Sequence, residues 1–117
     1  MSGIRWIPVV LWAGVILTAT SIPSVPAPPT TGADKLGHLA MYAVFGFLAL
    51  RAAWDGLPRT AATTLAALAL FAAVDEWHQR FIPTRSAEVA DWVADVTGAT
   101  LGIGAFTVLK LRRLKST

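Results

Sequence analysis

Residues 34–50 have the sequence DKLGHLAMYAVFGFLAL, a long apolar run with its charged side chains at the start. The run continues far enough to form a helix that crosses a bilayer, which needs about 20 mostly apolar residues. Lys35, His38 and Tyr42 are spaced i, i+3 and i+7, so in a helix they lie on one face. This stretch therefore predicts a membrane-spanning helix over residues 36–54 with a polar stripe at one end.

Three further apolar blocks flank this run, one before it and two after it. The chain of 117 residues is 55% hydrophobic and only 15% charged, whereas an average soluble domain carries about 25% charged residues. Four helices of about 20 residues fit into this length. The sequence predicts an all-α polytopic membrane protein, a four-transmembrane-helix bundle built from a single domain over residues 1–117. The predicted helices lie near residues 5–22, 36–54, 60–81 and 89–111.

The first apolar block has a second interpretation, as a cleaved signal peptide. Arg5 gives it a positive start, and Ala19 and Ser21 have the spacing of a signal peptidase site. Its apolar middle is long for a signal peptide, and a proline-rich segment over residues 23–34 follows it. These two features favour a retained helix.

The basic residues predict the orientation of the bundle. Seven of the ten Lys and Arg residues fall on the side shared by the two termini and the connection over residues 54–59. The other side holds the remaining three, together with six of the seven acids. By the positive-inside rule, both termini are cytoplasmic, and residues 23–34 and 82–90 lie outside. We expect a multi-pass protein of the cytoplasmic (inner) membrane that contacts membrane lipids and no nucleic acid, despite the pI near 10.

Polar residues of the last three predicted helices fall at the same outer level. Ionisable groups at membrane depth are costly and usually face a bundle interior or a wet cavity. These residues therefore predict an outward-facing polar pocket. A structural alternative is that they form ion pairs, such as Lys35 with Glu76 or Arg85 with an acid of the last helix. The candidate ligand-binding residues are Lys35, His38, Tyr42, Glu76, Gln79, Arg85, Asp91 and Asp95.

No metal site and no cofactor are predicted. The absence of cysteine excludes disulfides and thiolate ligands. His78 is three positions from Asp75 but only two from Glu76, so the three do not share one helix face; no HExxH pattern occurs, and His38 and Asp95 belong to other segments. The pair Gly98-x-x-x-Gly102 is typical of close helix packing instead.

Two segments resemble the signature stretches of the VanZ-like family of small bacterial membrane proteins. DKLGHLAMYAVFGFLAL matches a D-K-x-x-H-x-x-x-Y pattern. DEWHQRFIPTRSAEVADWVADVTGATLG matches acidic-E-x-x-Q-x-F-x-P-x-R followed by D-x-x-x-(N/D)-x-x-G. The chain departs from the family at Asp95, where many relatives have Asn, and at Thr84, where glycine is frequent.

The resemblance implies a helical integral membrane protein of the cell envelope, whose namesake is associated with lowered sensitivity to the lipoglycopeptide antibiotic teicoplanin. We expect the pocket to bind an amphipathic ligand related to the cell wall or to lipids, with Lys35 and Arg85 on an anionic headgroup. One alternative is a membrane enzyme acting on a lipid-linked substrate, with His38 and Glu76 as the candidate catalytic acid and base. Another alternative is a small scaffold for a partner membrane protein.

The predicted orientation is testable with a reporter fused to the C-terminus. Alkaline phosphatase is active only outside the cytoplasm, so we expect the fusion to be inactive although it is present in the membrane. An active C-terminal fusion would contradict the orientation predicted from the basic residues.

Overall fold

The computed structural model describes residues 2–23 and 33–116. This part of the chain is 85% helical and contains no strand, which confirms the all-α class. The proline-rich connection predicted outside the membrane lies mostly on residues 24–32, outside the described residues. The helices are α1 (Ser2–Arg5), α2 (Ile7–Ser21), α3 (Ala33–Ala53), α4 (Pro58–Gln79) and α5 (Val89–Ser116).

The helices correspond to the four predicted segments, with shifted ends. The first segment comprises α1 and α2, which are separated only at Trp6. Pro8 lies in the first turn of α2, where the missing N–H has no helical partner to lose. At the other end of the chain, α5 continues to Ser116, and its 28 residues make it longer than a bilayer core requires.

Three helical segments are long and apolar enough to cross a membrane, namely Gly3–Ser21, Asp34–Ala53 and Val89–Ser116. α4 is not among them, although it has 22 residues. Its apolar stretch covers only residues 60–74, because Arg59 precedes it and Asp75 follows it. The described residues thus support a membrane helical bundle with three candidate spans, and the predicted count of four spans is not confirmed.

α3 and α5 form the most extensive helix pair, and glycine permits their close approach. A Cβ atom added at Gly98 would overlap the carbonyl group of Leu39, and one added at Gly102 would overlap the carbonyl of Ala43. The two backbones therefore touch along this seam. The predicted packing role of the Gly98-x-x-x-Gly102 pair is confirmed.

α2 and α4 are joined to this pair by indole hydrogen bonds. The Nε1–H of Trp12 in α2 donates to the carbonyl of Met41 in α3 at 2.8 Å. The Nε1–H of Trp92 in α5 donates to the carbonyl of Ala69 in α4 at 3.0 Å. Each indole fixes the position of a neighbouring helix along α3 or α5.

Large apolar side chains cover much of the outside of the bundle, while several polar side chains are buried in it beside the apolar core. Val10, Leu11 and Leu70 are 65–67% exposed on the outside of the bundle. Charged and polar side chains are instead buried, among them Asp75 and Asp95 with at most 1% exposure. Water would penalise so much exposed apolar surface, whereas lipid chains would cover it. This distribution agrees with a membrane location.

The turn between α3 and α4 lies at the end of the bundle opposite the buried acids. The Asp55 carboxylate there accepts hydrogen bonds from the hydroxyl of Thr60 at 2.6 Å and from the backbone N–H of Leu57 at 3.0 Å. These bonds hold the pKa of Asp55 below its ordinary value. The connectivity of the helices brings most of the basic side chains to this end: Arg5, Arg51, Arg59, Lys110, Arg112, Arg113 and Lys115.

The seam predicts that Gly102→Ala separates α3 from α5 and lowers the free energy of unfolding by about 2 kcal/mol or more. Gly104→Ala is the matched control, because a Cβ at Gly104 meets nothing within 4 Å. The control should leave stability unchanged or raise it by up to about 1 kcal/mol, since alanine favours helix. Thermal unfolding in detergent, followed by tryptophan fluorescence, compares the two variants. Equal melting temperatures would contradict the backbone contact.

Candidate functional site

α3 and α5 begin, and α2 and α4 end, at one end of the bundle, which we call the site end. Among the described residues, five acidic or histidine side chains from three of these helices are buried here, each less than 9% exposed. We call these five residues the polar cluster. Its members are His38, Asp75, Glu76, Asp91 and Asp95.

The contact between His38 and Asp95 is at the centre of the cluster. Nδ1 of His38 lies 2.7 Å from Oδ1 of Asp95, whose side chain is completely buried. When Asp95 is ionised, its carboxylate only accepts hydrogen bonds, and Nδ1 then carries the proton in this pair. Nε2 then faces the other way, 3.8 Å from one oxygen each of Asp34 and Asp91.

Lys35 neutralises part of the negative charge at the mouth of the cluster. Its ammonium lies 2.5 Å from Oδ1 of Asp91, 2.9 Å from Glu88 and 3.6 Å from Asp34. The hydrogen bond from Lys35 holds the pKa of the Glu88 carboxyl below its ordinary value. Lys35 therefore pairs with these acids, and the alternative pairing with Glu76 is not seen.

Glu76 joins the end of α4 to the start of α5. Its Oε1 accepts the backbone N–H of Glu88 at 2.9 Å, and its Oε2 lies 3.4 Å from the amide nitrogen of Gln79. Glu88 immediately precedes α5, and a negative charge at a helix N-terminus is favourable. The chain thus places a carboxylate where the amide groups of α5 stabilise it.

Asp75 links three helices on the other side of the cluster. It accepts a hydrogen bond from the hydroxyl of Thr20 in α2 at 2.7 Å, and the hydroxyl of Tyr42 in α3 lies 3.4 Å from its second oxygen. Tyr42, a predicted ligand-binding residue, is only 1% exposed. In this structure it serves as a partner of Asp75.

Arg85 lies apart from the acids. Its guanidinium donates to the carbonyl of Ile22, the C-cap of α2, at 2.8 Å and to the carbonyl of Ala19 in the last turn of α2 at 3.0 Å. A cationic group at a helix C-terminus satisfies carbonyls that lack helical partners. The alternative pairing with Asp91 or Asp95 is replaced by this capping contact.

Two cavities open toward the cluster from different sides. A cavity of about 160 Å³ between α2 and α3 is lined by Asp34, Gly37, His38 and Arg85 among others. A cleft of about 310 Å³ between α4 and α5 is lined by residues that include Glu76, Trp77, Arg80, Glu88 and Trp92. The buried carboxyl of Glu76 is therefore reached from the side of the bundle.

The structure adds residues that were not among the predicted ligand-binding ones. Asp34 stands in the family pattern and Asp75 precedes Glu76, so both were visible in the sequence. Glu88 lies three positions before Asp91, but its contact with Lys35 depends on the relative position of α3 and α5. Within the described part of the chain, two trios have ligand atoms within 4.8 Å of one another and could hold a metal ion. They are Asp34, His38 and Asp91, and His38, Glu76 and Asp95.

The loop between α4 and α5 contains one strained residue. Thr84 has a φ of 67°, a left-handed conformation that is unfavourable for a β-branched side chain. Glycine adopts this conformation without steric cost.

We expect Thr84→Gly to relieve this strain and raise the stability by about 1 kcal/mol. Thr84→Val should give no gain, because valine is also β-branched. Melting temperatures of the two variants in detergent check the expectation. If Thr84→Gly is no more stable than Thr84→Val, the side-chain contacts of Thr84 outweigh its backbone strain.

Comparison with known proteins identifies the family. The family model described as VanZ/LLP1 matches residues 3–110, which confirms the resemblance of the two signature segments. Comparison with curated proteins and with solved structures gives no match. Since the matched region covers nearly the whole chain, the protein belongs to the VanZ-like family.

Proposed function

We propose that this protein is a membrane protein of the cell envelope that binds the polar head of an amphipathic, lipid-related ligand at the polar cluster. The observation that carries the proposal is the position of Glu76. Its carboxyl belongs to the buried cluster and also lines the cleft between α4 and α5. A ligand in the bilayer would thus reach buried polar groups without leaving the membrane.

The walls of the cleft fit such a ligand. Trp77 and Trp92 supply aromatic apolar surface, which suits acyl chains near the headgroup region. Arg80 supplies a positive charge in the same cleft, and guanidinium binds phosphate or carboxylate through paired hydrogen bonds. Because Lys35 and Arg85 already have partners within the chain, Arg80 is the better candidate for an anionic headgroup.

We place the site end outside the cytoplasmic membrane and both termini in the cytoplasm. The basic side chains at the opposite end support this orientation. In this arrangement α4 is a fourth span, although its apolar stretch is short. Arg59 lies near one interface and Asp75 and Glu76 are covered by neighbouring helices, so α4 exposes few charges to lipid.

A second candidate is an enzyme that acts on a lipid-linked substrate. The observation that favours it is the 2.7 Å contact between His38 and Asp95, because a carboxylate that orients a histidine is common in general acid–base catalysis. In that case His38→Ala should lower turnover at least a hundredfold, about the usual loss for such a group, at unchanged expression. A scaffold would tolerate this substitution and fail with Gly102→Ala.

The envelope proposal predicts an effect on antibiotic sensitivity. Overexpression in a susceptible Gram-positive host should change the sensitivity to teicoplanin more than that to vancomycin. Teicoplanin carries an acyl chain and concentrates at the membrane surface, where the cleft lies, whereas a change in the shared peptide target would affect both drugs. Glu76→Gln and Arg80→Gln should abolish the change while the amount of protein in the membrane stays the same.

Asp55→Asn is the control for charge removal, because Asp55 lies at the opposite end of the bundle. It should behave like the wild type in both drugs. An equal change for the two drugs would count against a mechanism at the lipid surface. If the wild type is expressed but neither drug sensitivity changes, antibiotic protection is removed from the proposal.

A further inference from the structure

The two ring nitrogens of His38 differ in their contacts. Its side chain is only 9% exposed, and its Nδ1 is taken up by Asp95. Nε2 lies 3.8 Å from Oδ1 of Asp34 and 3.8 Å from Oδ2 of Asp91, too far for a hydrogen bond with either. Among the described residues, this nitrogen has no hydrogen-bond partner, and it points at two carboxylates.

The carboxylates around Nε2 of His38 favour a positive charge at this place. With the proton on Nδ1, the lone pair of Nε2 faces two negatively charged groups, which is repulsive. The carboxylates of Asp34, Glu88, Asp91 and Asp95 surround this place, and Lys35 is the ammonium among them. Buried carboxylates at membrane depth need a compensating cation or a proton.

We infer that Nε2 of His38 and the carboxylates of Asp34 and Asp91 form a binding site for a divalent first-row transition-metal ion. Nε2 lies 3.8 Å from one oxygen of each acid, and the three ligand atoms lie within 4.8 Å of one another, so small side-chain movements would bring all three to metal–ligand distances of about 2.1 Å. One imidazole and two carboxylates are a donor set for such ions. Asp95 then has the role of the carboxylate that holds the other ring nitrogen and orients the histidine.

Lys35 leaves room for this ion. It contacts Oδ1 of Asp91 and Oδ2 of Asp34, whereas the oxygens nearest Nε2 are Oδ2 of Asp91 and Oδ1 of Asp34. Each carboxylate therefore has one oxygen toward the ammonium and one toward the imidazole. The ammonium and the metal ion use different oxygens of the same two acids.

The site has an entry path and an open coordination position. Asp34 and His38 both line the cavity of about 160 Å³ between α2 and α3, and the Asp34 side chain is 56% exposed. Three protein ligands leave at least one position for water, as in catalytic rather than structural metal sites. Asp34 and His38 are spaced i,i+4 in α3, whereas Asp91 lies in α5, so ligand spacing within one helix gives only two of the three ligands.

This inference goes beyond the proposed function and does not depend on it. Metal binding is measured without any lipid, and Asp34 and His38 do not line the cleft between α4 and α5. Zn²⁺ binding is therefore measured independently of the antibiotic effect.

Calorimetric titration of the detergent-purified, tag-free protein with Zn²⁺ tests the inference. We expect one Zn²⁺ per chain, with no saturable binding in His38→Ala and at least tenfold weaker binding in Asp34→Asn. Asp95→Asn should weaken binding about 10- to 100-fold, the usual effect of losing a carboxylate behind a ligating histidine. Asp34 is exposed, so its substitution reports on the ligand without disturbing the core.

His78→Ala and Asp55→Asn are the controls, a histidine and an acid outside the proposed site, and both should bind like the wild type. Melting curves show whether each variant is folded. Absence of saturable Zn²⁺ binding in the folded wild type would overturn the inference and leave a proton on Nε2 as the compensating charge. Binding within twofold of wild type in both His38→Ala and Asp34→Asn would also overturn it.

Discussion

The backbone contact between α3 and α5 is the constraint on which the rest of the structure depends. Gly98 and Gly102 let the carbonyls of α3 approach α5 more closely than any side chain would permit. Four residues before Gly102 comes Gly98, and one turn further toward the site end, on the same face, comes Asp95. The close seam therefore delivers a fully buried carboxylate to within 2.7 Å of His38. A wider separation of α3 and α5 would break the contact between His38 and Asp95.

Burying the acids of the polar cluster costs free energy, and nearby hydrogen-bond donors and the helix dipole offset part of this cost. Asp75 has the hydroxyl groups of Thr20 and Tyr42, and Glu76 has the amide at the start of α5. Asp91 lies in the first turn of α5, where the helix dipole favours a negative charge. Oδ2 of Asp95 has no hydrogen-bond partner among the described residues. A buried acid left in this condition is more typical of a functional site than of one selected for stability.

The sequence predicted which segments are helical and which residues share a helix face, but it predicted few of the side-chain contacts between helices. Apolar blocks and the 3.6-residue period predicted the helical class, the stripe of Lys35 and His38, and the packing role of the glycines. Partners across helices depend on axial position, which periodicity does not encode. Arg85 shows the limit, since its charge predicted an acid or an anionic ligand, whereas it caps α2. The contact of Lys35 with Glu88 was missed for the same reason.

The two openings of the cluster are electrostatically connected. Glu76 lines the cleft between α4 and α5, and one of its oxygens lies within 4.8 Å of ligand atoms of His38 and Asp95. A positive charge on the imidazole side, whether a metal ion or a proton, would therefore reduce the repulsion that an anionic headgroup meets near Glu76. In a low-dielectric interior such a charge acts over this distance with little screening. Under the proposed function, occupancy of the His38 side would set the affinity of the cleft for negatively charged ligands.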